Sequence, residues 1–103
     1  MSDLMKGYEQ FVRNHWPNHG LDCAVLGLTG EAGEVADTLK KDRYHKVYTT
    51  VGDYVAELGD VLFYVFATAH ELMIPIEDVI TANMIKINKR YPDGFVQGGG
   101  IRE

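Results

Sequence analysis

Two short acidic pairs, Glu31-Ala32-Gly33-Glu34 and Glu57-Leu58-Gly59-Asp60, carry the residue types in this chain best suited to chemistry. The acids of each pair stand three residues apart in a stretch that reads as helix, so both carboxylates leave one face. Both stretches are strongly apolar, which turns those faces towards each other rather than towards bulk water. Carboxylates gathered in this way repel, and a cation relieves the repulsion. The pattern points to a divalent-metal site between two helices. Hard oxygen donors suit Mg²⁺ or Mn²⁺ rather than zinc or copper. A di-iron bundle would use Glu-x-x-His pairs, and neither pair contains histidine.

The plainer alternative is two amphipathic helices with solvated acids. The flanking residues argue against it: Gly30, Ala32, Gly33 and Val35 around the first pair, Leu58, Gly59, Val61 and Leu62 around the second. Glycine inside a helix costs about 1 kcal/mol relative to alanine. Gly33 and Gly59 therefore imply a reason, such as close helix–helix approach beside the acids.

A third constellation is basic. Asn83, Lys86 and Arg90 fall at i, i+3 and i+7, one helical face with two cations and an amide. Such a face meets phosphate oxygens well, arginine as a planar fork and lysine as a point charge. Acids that bind metal, set against bases that bind phosphate, are what phosphoryl chemistry needs. A solvated basic helix end is the alternative.

The elements that must position these groups are helices. Leu4, Tyr8, Phe11 and Val12 repeat at helical spacing over 3–13, and Asn14 to Gly20 interrupts them with Pro17 and Gly20. A second helix is expected from Leu21 or Asp22 to Lys41, ending on Lys40-Lys41, the charge that suits a helix C-terminus. Asp42 to Thr50 reads as a polar, aromatic-bearing connection. A third helix is expected from Thr50 or Val51 to Leu72. Its run Val61–Ala67 is apolar or aromatic all round, which predicts burial on every side. Pro75 separates it from a fourth helix over 76–89, with Glu77 and Asp78 in the first turn and Arg90-Tyr91-Pro92 as its stop.

The expectation is an all-α fold: an antiparallel bundle of four main helices, a single domain over 1–97 with a flexible tail over 98–103. Three short neighbours cannot cover the third helix, so oligomerisation is expected to complete the bundle, as a homodimer or homotetramer.

At 103 residues and 46% hydrophobic composition, the chain can build one modest core. Its formal charge of −5 argues against duplex nucleic acid as a partner, which would call for a basic footprint. No apolar run approaches membrane-spanning length, and the N-terminus lacks a signal-peptide pattern, so a cytoplasmic protein is expected. Cys23 is the only cysteine, which excludes a disulfide framework.

With these residues in view, the chain resembles a single-domain MazG-like nucleoside triphosphate pyrophosphohydrolase of the all-α NTP pyrophosphatase superfamily. That family is marked by E-x-x-E, a spacer, then E-x-x-D, here Glu31, Glu34, Glu57 and Asp60 within Leu26-Gly27-Leu28-Thr29-Gly30-Glu31-Ala32-Gly33-Glu34-Val35 and Glu57-Leu58-Gly59-Asp60-Val61-Leu62-Phe63-Tyr64. Asn83-x-x-Lys86-x-x-x-Arg90-Tyr91-Pro92 adds a third element in order, and the resemblance runs from about Leu21 to Phe95.

The resemblance implies hydrolysis of an NTP or dNTP between the α and β phosphates, giving NMP and pyrophosphate. It implies Mg²⁺ on the four acids, one glutamate of the set accepting the proton of the attacking water, and phosphate contacts from Asn83, Lys86 and Arg90. It also implies sites built from more than one subunit. Tyr64, one turn after Asp60, is expected to stack on the base, with His15 and Trp16 closing the pocket; a packed aromatic and a surface histidine are the alternatives. Lys40 and Lys41 stay open between phosphate contact and helix-end charge. The runner-up function is a nucleotide- or alarmone-binding regulatory module with weak turnover.

Overall fold

The computed structural model describes residues 2–17 and 19–99. Four helices and no strand are found among them: α1 (Asp3–His15), α2 (Leu21–Tyr44), α3 (Val51–Glu71) and α4 (Ile76–Arg90). The all-α expectation holds. The expected tail lies, beyond Gly99, outside the described residues.

Three of the four helices begin where a side chain accepts from a free N–H group, whereas α2, after Gly20, has no side-chain cap. Ser2 caps α1, its Oγ accepting from the Met5 N–H at 3.2 Å. Thr50 opens α3 with a reciprocal capping box: its Oγ1 accepts from the Asp53 N–H at 3.2 Å, and Asp53 Oδ2 accepts from the Thr50 N–H at 2.8 Å. α4 follows Pro75, which brings no side-chain cap of its own. A carboxylate from another helix takes that role, Glu9 Oε2 of α1 accepting from the Ile76 N–H at 3.0 Å. α2 runs three residues past Lys41, so Asp42-Arg43-Tyr44 extends the helix rather than the connection.

α2 lies along α3, and α1 and α4 each touch α3. The core joins Val12 and Trp16 to Ala24, Phe66, Ala67, Ala69 and Ile76. α2 and α3 approach closely at Gly27, where the ring of Tyr64 occupies the space a Cβ would take. This corrects the role expected for Gly33 and Gly59, which both face open space with no neighbouring atom within 4 Å.

Burial of α3 is also less complete than its composition predicts. Val51, Val55, Leu58 and Leu62, spaced i, i+4, i+7 and i+11, form one stripe exposed at 80, 64, 57 and 46%. Among the described residues nothing covers it. Val61-to-Ala67 is apolar all round because its inner face meets α1, α2 and α4, while the composition says nothing of what meets the outer one.

α4 leaves α3 through a bend of 107° and so crosses it rather than lying alongside. No single helix among the described residues is long and apolar enough to cross a membrane; α3 and α4 pass that test only as a bent pair.

Candidate functional site

The acids expected to converge sit on the two helices that share the most extensive contact. One carboxylate oxygen each from Glu31, Glu57 and Asp60 lie within 4.8 Å of one another. Gly27 and Tyr64 fix the spacing of α2 and α3 one helical turn from Glu31 and one turn from Asp60. Burial, together with the charges of Asp60, Glu57 and Glu34, raises the Glu31 carboxyl above the usual glutamate range. This is the repulsion that the two acidic pairs imply.

The donor set fits a hard divalent cation. All donors are oxygen, with no histidine or cysteine among them. The three oxygens are close enough together that Glu31, Glu57 and Asp60 could hold one such ion between α2 and α3.

Glu34 does not join the three converging oxygens. It is exposed one turn further along α2, close enough for its charge to act on Glu31. On the same side stands Lys41, whose Nζ lies 3.0 Å from Asp37 Oδ2. Its ammonium is held above the usual lysine range by the hydrogen bond to Asp37 and by that residue's charge, with smaller contributions from Glu34 and Glu57. Lys40 reaches the other Asp37 oxygen at 3.6 Å. These pairings hold the Asp37 carboxyl below the usual range, the bond from Lys41 first.

Of the remaining expected residues, Tyr64 lies one turn from Asp60, whereas those of α4 are carried away from the acids. α3 rises about 21 Å from Glu57 to its end, and α4 then departs through 107°. In one chain the face carrying Asn83, Lys86 and Arg90 thus does not lie beside Glu31, Glu57 and Asp60. Asn83 and Lys86 are exposed and Arg90 is half-buried.

Tyr64 lies against Gly27, edge-on to Trp16 and Phe63 at centroid distances of 5.6 Å each. Trp16 is only 5% exposed and belongs to the core, its Nε1–H donating to Glu71 at 3.3 Å. It therefore backs Tyr64 rather than presenting a free ring face. His15 is exposed, stacks on Phe11 at 4.1 Å, and bonds through Nδ1 to the Phe11 carbonyl at 2.8 Å.

Sequence reasoning missed two contributors. Tyr8 of α1 stands near enough to Asp60 that this charge, after burial, raises its hydroxyl above the usual tyrosine range. Its spacing with Phe11 and Val12 marks only an apolar face, so no local signal tied it to the acids. Gly27 was one of several glycines in α2, and only the helix register singles it out.

Comparison with known proteins identifies the family. The profile of the MazG nucleotide pyrophosphohydrolase domain matches residues 22–95. The gene 37 protein of Mycobacterium phage L5 is 40% identical over 85 residues, covering 79% of this chain and 75% of the phage protein. No solved structure matches the chain.

Proposed function

This chain belongs to the MazG nucleotide pyrophosphohydrolase family, and on that premise we propose that it hydrolyses a nucleoside or deoxynucleoside triphosphate between the α and β phosphates, with Mg²⁺, to NMP and pyrophosphate. The observation that carries this reading is the meeting of Glu31, Glu57 and Asp60 between two tightly spaced helices. These three, with Glu34 turning in from the next turn, would hold the ion. Bound there, Mg²⁺ would supply Lewis acidity to the phosphate oxygens and acidify a water. The chain's own contribution is a rigid α2–α3 spacing, a low-lying aromatic in Tyr64 at one end, and cations at the other.

The full site on this reading needs a second copy. The exposed α3 stripe and a total accessible surface of 7708 Å² both support an oligomer, since a compact monomer of this size exposes roughly 5,800 Å². A partner would cover Val51, Val55, Leu58 and Leu62, and its α4 would bring Asn83, Lys86 and Arg90 to the acids that α4 of the same chain turns away from.

The test is a panel of NTPs and dNTPs with Mg²⁺, scoring pyrophosphate against orthophosphate as first product. Pyrophosphate release, lost in Asp60→Asn while helix content is kept, is the expected result. Orthophosphate as first product would refute cleavage at the α–β bond.

A further inference from the structure

The groups along one side of α2 occur in a chemical order. Gly27 carries the Tyr64 ring. One turn on comes Glu31, which meets Glu57 and Asp60. Glu34 follows, and two turns beyond it Lys41, tied to Asp37 at 3.0 Å. At 1.5 Å per residue the line from Gly27 to Lys41 is about 21 Å long, and Lys41 starts about 10 Å beyond Glu34. Side chains on a helix lean back towards its N-terminus, so the Lys41 ammonium is carried towards the acids rather than away from them. Its response to the charges of Glu34 and Glu57 agrees with that direction.

Charge along the chain reinforces the polarity. Lys40, Lys41, Arg43 and Lys46 place four of the ten Lys and Arg residues of an acidic protein within seven positions. They lie at the C-terminal end of α2, where the helix dipole by itself repels an anion. With Asp37 and Asp42 among them, the segment 37–46 keeps a net positive charge, which opposes that repulsion. Asp37 takes one or two of the three Lys41 N–H donors, which restrains the side chain and leaves a donor for another acceptor.

We propose that Lys41, restrained by Asp37, binds the terminal phosphates of the substrate, so that the nucleotide lies along α2 with its base end at Tyr64 and Gly27 and its pyrophosphate end at the α2 C-terminus. This rests on the triphosphate reading above and adds to it a direction and a residue. Lys41 then meets the charge that grows on the departing pyrophosphate, and it gives a triphosphate a contact that a monophosphate lacks.

Product binding separates the two ends. Isothermal titration of Mg²⁺-pyrophosphate and, separately, of NMP is made on the wild-type protein and on Lys41→Met, whose fold is checked by its melting temperature. The expected result is a loss of at least tenfold in pyrophosphate affinity with NMP affinity and Mg²⁺ affinity within twofold of wild type. Lys41→Arg, which keeps the charge, recovers most of the loss. Unchanged pyrophosphate binding in Lys41→Met, or equal weakening of both products, would overturn the orientation. A wild-type protein that releases pyrophosphate from NTP while Lys41→Met matches it in both titrations sinks this inference alone. A wild-type protein that neither cleaves NTP nor binds pyrophosphate sinks the functional reading beneath it.

Discussion

Gly27→Ala tests whether the α2–α3 spacing sets the acid group. A Cβ built at Gly27 falls inside the Tyr64 ring, with Cδ1 and Cζ at 2.5 and 2.6 Å. Carbon atoms pack best at about 3.5–4.0 Å, so ring and helix must part by about an ångström. The ring has little room to swing, because Trp16 and Phe63 flank it at 5.6 Å. Overpacking of this kind costs about 1–3 kcal/mol, and alanine's better helix propensity returns about 1 kcal/mol. The net cost of roughly 0–2 kcal/mol lowers the melting temperature by no more than about 15 °C. Function suffers more. Glu31 is one turn from Gly27 and Asp60 one turn from Tyr64, and a misplacement of about 1 Å costs a site about 10²-fold. The assay is kcat/KM for the best nucleotide together with a Mg²⁺ titration, at a temperature where the variant is folded. Gly7→Ala is the control, an exposed α1 position with nothing within 4 Å of the new methyl, where stability should rise slightly and turnover stay unchanged. Wild-type kcat/KM and Mg²⁺ affinity in Gly27→Ala would refute the reasoning.

Three further expectations follow from the geometry. Glu9→Ala removes the carboxylate that caps α4 across the fold and should cost about 1–2 kcal/mol, read by calorimetry at fixed protein concentration; an unchanged transition would show that the 3.0 Å bond to Ile76 contributes nothing. The Glu31 carboxyl is raised by burial first and by Asp60, Glu57 and Glu34 next, so the folded state holds its proton more tightly than the unfolded state. Metal-free protein should therefore lose stability as pH rises from the ordinary glutamate range through the raised value, and saturating Mg²⁺ or Glu31→Gln should abolish that slope in a melting series. Leu58→Lys, in the middle of the exposed α3 stripe, should reduce the mass by light scattering to that of one chain; a wild-type protein that is already monomeric would remove the partner from the proposed site.

The sequence reading succeeded where information is local and lost ground where it is tertiary. Helix limits were legible because Pro17, Gly20, Pro75 and Pro92 interrupt regular apolar spacing, and the one shift of note, α2 reaching Tyr44, concerns polar residues compatible with helix or loop. The convergence of Glu31, Glu57 and Asp60 was legible from spacing and the apolar setting together. Glu34 was not separable from them, because an i, i+3 spacing puts two carboxylates on one face without deciding whether they also meet at a point, as Glu57 and Asp60 do. The Glu9 cap joins residues 67 positions apart and has no local pattern. Glycine showed the same limit: Gly33 and Gly59 drew attention by lying within the acidic pairs, while the close approach fell at Gly27, fixed by the register of Tyr64 against α2.

The division of labour between the helices follows from how each is held. α2 and α3 share the largest contact, a glycine-permitted close approach and a capping box at the turn into α3, so the acids they carry are the best-positioned groups in the chain. α4 is tied down at its N-terminus, where Ile76 is buried and Glu9 caps it, and then runs outward with Met84, Ile85 and Ile87 exposed at 63, 65 and 38%. A basic face on an arm of that kind is poorly placed to serve its own acids and well placed to serve those of a neighbour. On the proposed reading, the arrangement would separate a metal-binding half built within one chain from a phosphate-binding half completed by assembly. On the orientation proposed above, Lys41 is a cation on the same helix as the acids, and so a phosphate contact that should survive in a dissociated chain. Pyrophosphate titration of Leu58→Lys distinguishes the two contributions. Residual binding that disappears on adding Lys41→Met would assign it to α2, whereas complete loss in Leu58→Lys alone would assign all of it to the partner's α4.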